Sequence, residues 1–278
     1  MSKKDTQRIV LITGASSGIG QACAVHLHQR GYRVYGTSRH AAGQAPSPSG
    51  SFEMIQMDVD VDHSVQRGVE YILERQGRLD VVVNNAGFGL AGAIEDTSIG
   101  EAKSQFETNF FGVLRVCQAA LPIMREQRAG HLVTIGSLAG RVGLPFQAFY
   151  SASKFALLGL SEALRLEVRP FGIQVALIEP GDFCTGFTAH RRRTAQSQEN
   201  PVYVERCNAS VGVMEADERQ GSDPVKIAHL LTKIIENPSP RLRYTAGPAF
   251  QRIVVVVLKK IVPAWLFEWG LSKYYKLG

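Results

Sequence analysis

The feature that most constrains this chain is a glycine-rich turn set between a short apolar run and a helical pattern. Arg8-Ile-Val-Leu-Ile-Thr-Gly14 is aliphatic and β-branched over a length that suits a buried strand. From Gly18 to Arg30, apolar residues recur at Ile19, Ala22, Cys23, Val25 and Leu27, which predicts a helix that Gly31 ends. Glycines 14, 18 and 20 therefore fall where strand passes into helix. The first amides of a helix lack intrahelical partners and its dipole favours negative charge there, so small residues let a pyrophosphate approach. The spacing is not the Gly-x-Gly-x-x-Gly of many dinucleotide-binding folds, and tight turns use the same residues.

A second strand is expected at 32–38, with Ser38 and Arg39 at its end. In a dinucleotide fold this end lies beside the adenosine ribose. An acidic residue there accepts hydrogen bonds from the ribose 2′-hydroxyl, whereas an arginine accommodates a 2′-phosphate. Arg39 thus points to NADP(H) rather than NAD(H), and Ser17 within the turn adds no second cation.

Further along, Tyr150 and Lys154 stand four residues apart, thirteen residues after Ser137. Positions i and i+4 share a helix face, so phenol and ammonium are expected to point into the same space. A cation near a phenol favours its ionised form and brings it toward the range of acid–base chemistry. Taken alone, the pair also fits an exposed amphipathic helix.

Together these residues resemble the short-chain dehydrogenase/reductase family over roughly residues 8 to 186. Thr13-Gly14-x-x-x-Gly18-x-Gly20 is similar to its cofactor turn, Asp58-Val59 to its adenine-side pair, and Asn84-Asn85-Ala86-Gly87 to its strand-end motif. Asn109, Ser137, Tyr150 and Lys154 match its active-site quartet, and Pro180-Gly181 with Thr185 its nicotinamide clamp. The resemblance implies cofactor contacts from Gly14, Ser16, Ser17, Gly18, Ile19, Gly20, Arg39, Asp58, Val59, Asn85, Ala86, Gly87, Tyr150, Lys154, Pro180, Gly181 and Thr185. It also implies roles. Tyr150 exchanges a proton with the substrate oxygen, Ser137 orients that oxygen, and Lys154 holds the nicotinamide ribose and lowers the Tyr150 pKa. Asn109, at a local helix kink, holds a water joining the lysine to solvent. The segments Gly140–Phe146 and Ser153–Leu157 look most like the branch with 17β-hydroxysteroid and retinol dehydrogenases, which suggests an apolar alcohol or carbonyl substrate.

Strands are expected at about 8–14, 32–38, 52–58, 79–84, 131–137, 173–179 and 242–247, with helices between them. That alternation predicts a single-domain α/β fold of the Rossmann type, a doubly wound parallel sheet of about seven strands, spanning 1–278. Within it, 8–186 form the cofactor-binding and catalytic core. Residues 40–51 read as a loop. Residues 181–221 carry no strong strand or long apolar helical pattern, and 187–221 are expected to form a substrate lid. Residues 248–278 form a helical extension. In it Ile253, Val254, Val257, Leu258, Ile261 and Val262 recur at helical spacing, Pro263 breaks the helix, and Trp265 and Trp269 lie near Lys259, Lys260 and Lys273. This extension suits either a cover over the pocket or a peripheral membrane contact.

The four cysteines, Cys23, Cys117, Cys184 and Cys207, lack metal-ligand spacing and predict reduced thiols in a cytoplasmic protein, with Cys184 near the active-site edge. His26 and His28 are expected at the surface, and no metal site is expected. A net charge of +6 with scattered basic residues, apart from Arg191-Arg-Arg193, argues against nucleic-acid binding. Ala152, Ala156, Gly159 and Ala163 form a small-residue strip that packs against the chain's own sheet or, as the resemblance implies, joins subunits of a homodimer or homotetramer. The reading that follows is an NADP(H)-dependent oxidoreductase acting on a small apolar carbonyl or alcohol. The alternatives are a catalytically silent nucleotide sensor and a membrane-peripheral protein of the same fold.

Overall fold

The computed structural model describes residues 7–40 and 52–278. Strand β1 (Ile9–Ile12) is Ile-Val-Leu-Ile with all four residues buried, as befits a strand covered on both faces. It is followed by α1 (Gly18–Gln29), β2 (Arg33–Ser38), β3 (Glu53–Gln56), α2 (Asp62–Gln76) and β4 (Val81–Asn84). A two-residue strand β5 (Leu90–Ala91) precedes α3 (Ile99–Phe106), which passes through a π-helical turn at Glu107–Phe111 into α4 (Gly112–Gln127). Next come β6 (Gly130–Ile135), α5 (Ala148–Val168), β7 (Ile173–Pro180), α6 (Phe187–His190), β8 (Arg192–Arg193), α7 (Val204–Arg219), α8 (Val225–Ile235) and β9 (Arg243–Ala246). The chain ends with α9 (Ala249–Ile253), a π turn at Val254–Leu258, α10 (Lys259–Ile261) and α11 (Ala264–Tyr274).

Seven strands form one parallel sheet in the order β3-β2-β1-β4-β6-β7-β9, each lying where the sequence pattern expects a strand. Successive residues of the central strands serve opposite faces. Val10, Ile12, Val81 and Val83 pack with Cys23 and Leu27 of α1 and Ile227 and Leu231 of α8. Ile9, Leu11, Val82 and Leu132 pack with Ile72 of α2, Val116 of α4 and Leu157 of α5. Burial on both faces is why these strands read as continuous apolar runs instead of alternating ones. The chain moves outward from β1 to β2 and β3, then returns to the other side of β1 as β4. Reversal of the winding direction opens a crevice at the carboxyl ends of β1 and β4, where α/β sheets of this kind take ligands.

Glu179, buried on β7, ties three segments together. Its carboxylate accepts from Arg141 Nε (2.9 Å) and Nη2 (2.5 Å), and from Arg243 Nε (3.2 Å) and Nη2 (2.7 Å). Arg141 lies just beyond Ser137, so the pairing anchors the loop after β6 to β7 and, through Arg243, to the edge strand β9.

Several expectations need correction. The region 181–221 contains a sixteen-residue helix, α7. Its buried face is Cys207, Ser210, Val211, Met214 and Glu218 at helical spacing; the apolar residues Cys207, Val211 and Met214 are interrupted by Ser210 and end at Glu218, so the stripe is short and weak in the sequence. Arg192 and Arg193 pair with Leu90 and Ala91 in a second, two-stranded sheet, while Arg191 is buried against Glu218 and Glu215. Ala152, Gly159 and Ala163 are exposed, and nothing lies within 4 Å of where a Gly159 Cβ would be. The small-residue strip therefore does not pack on the chain's own sheet. His26 is half-buried, its ring 4.6 Å from that of His229. Beyond His40, the loop expected at 40–51 lies outside the described residues. The C-terminal break falls at Pro263 as expected, between α10 and α11.

Candidate active site

The glycine turn is built by the strand beside it. Asn85 donates from Nδ2 to the carbonyls of Thr13 (2.9 Å) and Gly14 (3.0 Å), and the amides of Asn85 and Ala86 both donate to Thr13 Oγ1. This clasp demands glycine. Gly14 has a left-handed φ of 65°, and a Cβ there would sit 2.9 Å from Ala86 Cα. Gly20 does not line the cleft; a Cβ on it would fall 2.4 Å from Asn85 Nδ2, so it makes room for the clasp. Gly18, φ 56°, opens α1 against Thr185, and α1 carries no acidic residue in its first turn.

A cavity of about 570 Å³ runs from this turn across the strand ends. Gly14, Ser16, Ser17, Gly18 and Ile19 line its centre, with Asn85, Ala86 and Gly87 beside them. Ser38, Arg39, Asp58 and Val59 line one end; Pro180, Gly181 and Thr185 border the other. Asp58 Oδ1 accepts from the Asp60 amide (3.1 Å), and the Asp58 amide donates to Ser64 Oγ (3.0 Å), which fixes that loop. Left-handed glycines, open amides at the start of α1 and the lack of an acid in its first turn fit a dinucleotide pyrophosphate.

At the far end α5 presents Tyr150 and Lys154 into the same cavity, both buried, with Lys154 Nζ 5.7 Å from the Tyr150 ring centre. Ser137 also lines it, its Oγ accepting from the Ala139 amide at 3.0 Å. Asn109 stands behind the cavity in the π turn. Its Oδ1 accepts from the Phe88 amide (3.1 Å), while Nδ2 donates to the Phe88 carbonyl (3.1 Å) and Ser153 Oγ (3.2 Å). The side chain is thus spent on joining the segment after Gly87 to α5.

The expected lowering of the Tyr150 pKa is not what the structure shows. Burial pushes the phenol up to about 12, against a smaller opposing effect of a hydrogen bond with Ser137. Lys154 itself is pushed down to about 8 by burial and donates to the Ile135 carbonyl at 2.9 Å. Desolvation is the leading cause for both groups because both have been withdrawn from water. Cys184 is exposed and does not line the cavity.

Beside Tyr150 lies a group of residues that the sequence pattern did not single out. Phe187 of α6 packs 5.7 Å from the Tyr150 ring, and Asp182, Met214, Asp217, Glu218 and Tyr275 complete this end. Asp182 accepts from Gln251 Nε2, Asp217 from the Tyr274 hydroxyl (2.6 Å), and Glu218 from the Thr188 hydroxyl (2.6 Å) and Arg191. Burial lifts Asp182 to about 6; Gln251 and Arg191 counter this and Glu218 and Asp217 reinforce it. The helical recurrence of Cys207, Ser210, Val211, Met214 and Glu218 was the one signal that could have located α7 and hence two of these acids.

The family model for short chain dehydrogenase matches residues 8–196. A 3-ketodihydrosphingosine reductase from Bacteroides thetaiotaomicron is 42% identical over 271 residues, covering 97% of this chain and 98% of the relative. Human 17-beta-hydroxysteroid dehydrogenase type 1 is 36% identical over 262 residues, 87% of this chain and 78% of its own length. Among solved structures, a short-chain dehydrogenase from Streptomyces avermitilis superposes with a TM-score of 0.80 at 33% identity, covering 96% of this chain and 97% of that one. Sequence motifs, sheet order and these likenesses agree that the chain belongs to the short-chain dehydrogenases, oxidoreductases that work with a nicotinamide cofactor.

Proposed function

We propose that this chain uses NADPH to reduce the ketone of a long-chain 2-amino-3-ketone, of the kind named for its Bacteroides relative. The observation that carries the reading is the group of carboxylates, Asp182, Asp217 and Glu218, in the cavity that also holds Tyr150. In 3-ketodihydrosphingosine a primary ammonium sits on the carbon next to the ketone, and a long alkyl tail follows. A substrate bound through its ketone at Tyr150 brings that ammonium within the reach of this cavity end. Arg191 is paired with Glu218, and among the described residues neither Asp182 nor Asp217 makes an ion pair. A neutral steroid or retinoid gains nothing from such charge.

The chemistry follows from the positions of these side chains. When bound, the nicotinamide supplies the hydride that adds to the ketone carbon. Tyr150, kept neutral by its raised pKa, gives its proton to the ketone oxygen as that oxygen gains charge. Ser137 Oγ orients the same oxygen, Lys154 binds the nicotinamide ribose and supports return of a proton to Tyr150, and Asn109 braces α5 beneath them. Arg39, exposed at the adenosine end, favours a 2′-phosphate. An intact Ser137, Tyr150 and Lys154 speaks against a silent nucleotide sensor. The exposed strip of Ala152, Gly159 and Ala163 supports a homo-oligomer.

NADPH oxidation with 3-ketodihydrosphingosine, set against a ketone of equal chain length without the amine, tests the assignment. Wild type should prefer the amino ketone by about ten- to hundred-fold in kcat/KM, the ratio for a charge-assisted contact of roughly 1.5–3 kcal/mol. The double variant Asp182→Asn, Asp217→Asn should lose that preference and keep its rate on the neutral ketone. Equal rates on the two ketones by wild type overturn the amino-ketone reading.

A further inference from the structure

The C-terminal segment leaves a row of large apolar side chains in solvent. A helix packed on a soluble protein normally turns its apolar face inward. Here no residue from Ala249 to Gly278 is buried; Val254, Val255, Val256, Leu258, Val262 and Phe267 are half-buried, and polar contacts also hold the segment to the body. Gln251 bonds the carboxylate and amide of Asp182, Lys259 donates to the Arg141 carbonyl, and the Tyr274 hydroxyl donates to Asp217. Many of the bulky apolar side chains are instead exposed. Of fifteen large apolar residues exposed among the described residues, eight fall in these last thirty. Phe250, Ile253, Val257 and Ile261 recur at intervals of three and four, and Trp265 and Trp269 continue the surface on α11, with Ile261 70% and Trp265 69% exposed.

The charge around this surface selects its partner. Arg252, Lys259, Lys260, Lys273 and Lys276 are all exposed, and Glu268 is the sole acid in the segment. Indoles with aliphatic side chains, flanked by lysines and carried on short helices, suit the boundary between headgroups and acyl chains of an anionic bilayer. Among the described residues no helix is long and apolar enough to cross a membrane, so the segment suits lying in that boundary. The same segment reaches the cavity. Tyr275 lines it, and Gln251 touches Asp182 at its rim.

We infer that α9 to α11 form a docking surface for an anionic lipid bilayer, with the cavity mouth held next to the lipid. The inner side of the segment borders the cavity through Tyr275 while its exposed apolar side chains enter the headgroup layer. A substrate with a long alkyl tail can then pass between bilayer and cavity without exposing the tail to water. The docking goes beyond the substrate assignment and is tested without substrate.

Trp265 and Trp269 are the only tryptophans in the chain, so tryptophan emission, excited beyond the tyrosine absorption band, reports on this surface alone. Full-length protein is mixed with sucrose-loaded vesicles of phosphatidylcholine, with and without phosphatidylglycerol, and followed by emission wavelength and sedimentation. Vesicles containing phosphatidylglycerol should shift the emission to the blue and pull down the protein, with partitioning weakened at least tenfold by high salt or by Ile261→Ser with Trp265→Ser. That variant should keep its NADPH affinity and its thermal midpoint, which separates lost docking from misfolding. No shift and no sedimentation with either vesicle overturns the inference. A blue shift that follows protein concentration alone, with a dimer mass by light scattering and no vesicle binding, overturns it too and assigns the surface to a second copy of the chain.

Discussion

Replacing Glu179 with glutamine tests whether the loop carrying Ser137 is held by one buried carboxylate. The side chain of Glu179 is 1% exposed, and it pairs with two guanidiniums through four hydrogen bonds of 2.5–3.2 Å. Each carboxylate oxygen accepts one bond from each arginine, so glutamine fits the same space but its amide nitrogen turns donors toward a donor of both, and the negative charge is lost. Arg141, 15% exposed, is then left charged and nearly dry; Arg243, 30% exposed, recovers part of its loss from water. Removing one partner of a buried ion pair costs about 3–5 kcal/mol, a large share of the roughly 5–15 kcal/mol that keeps a domain folded. For a chain of this size that corresponds to a fall in Tm on the order of 10 °C. Differential scanning fluorimetry without cofactor reads the shift. Kinetics read the local consequence, since loosening Arg141 should lower kcat through Ser137 while the KM for NADPH changes little. A Tm within about 2 °C of wild type, or a loss confined to NADPH binding, would refute the reasoning that burial makes this pairing costly to break.

Three further outcomes are expected. Tyr150→Phe removes one hydroxyl from a buried side chain, so turnover should fall at least about 10²-fold while NADPH titration stays near wild type; unchanged turnover would remove the proton donor from the mechanism. Arg39→Ala should weaken NADPH by about 1.5–3 kcal/mol and hardly alter NADH, and equal losses for both cofactors in titration would make the arginine structural. For reduction, kcat should fall as pH rises through about 8, where Lys154 loses its charge, and the KM for an amino ketone should rise as pH falls through about 6, where Asp182 takes up a proton and ceases to attract the ammonium. A kcat profile that holds to the pH of an ordinary lysine contradicts the first limb, and a KM indifferent to acid contradicts the second.

Much of the molecule was legible in its sequence because the signals are local. The seven strands declare themselves as short apolar runs, and the glycines at 14, 18 and 20 as a strand-to-helix turn whose positive φ at Gly14 and Gly18 tolerates little else. The shared face of Tyr150 and Lys154 follows from helical geometry alone. Tertiary structure decided what depends on which distant groups meet. Asn85 clasps the turn from more than seventy positions away, and Glu179 gathers Arg141 and Arg243. Asp217 and Glu218 join Tyr150 only because α7 exists, and α7 packs through a short apolar face of Cys207, Val211 and Met214 that is faint in the sequence. The Tyr150 pKa is raised by burial, which no i,i+4 rule contains. The C-terminal segment shows the same limit: periodicity in the sequence reveals apolar positions, but only the fold reveals that Phe250, Ile253, Val257 and Ile261 look outward while Val254, Val255 and Leu258 are half-buried, because the segment's contacts with distant parts of the chain, those of Gln251, Lys259 and Tyr274 among them, set its orientation.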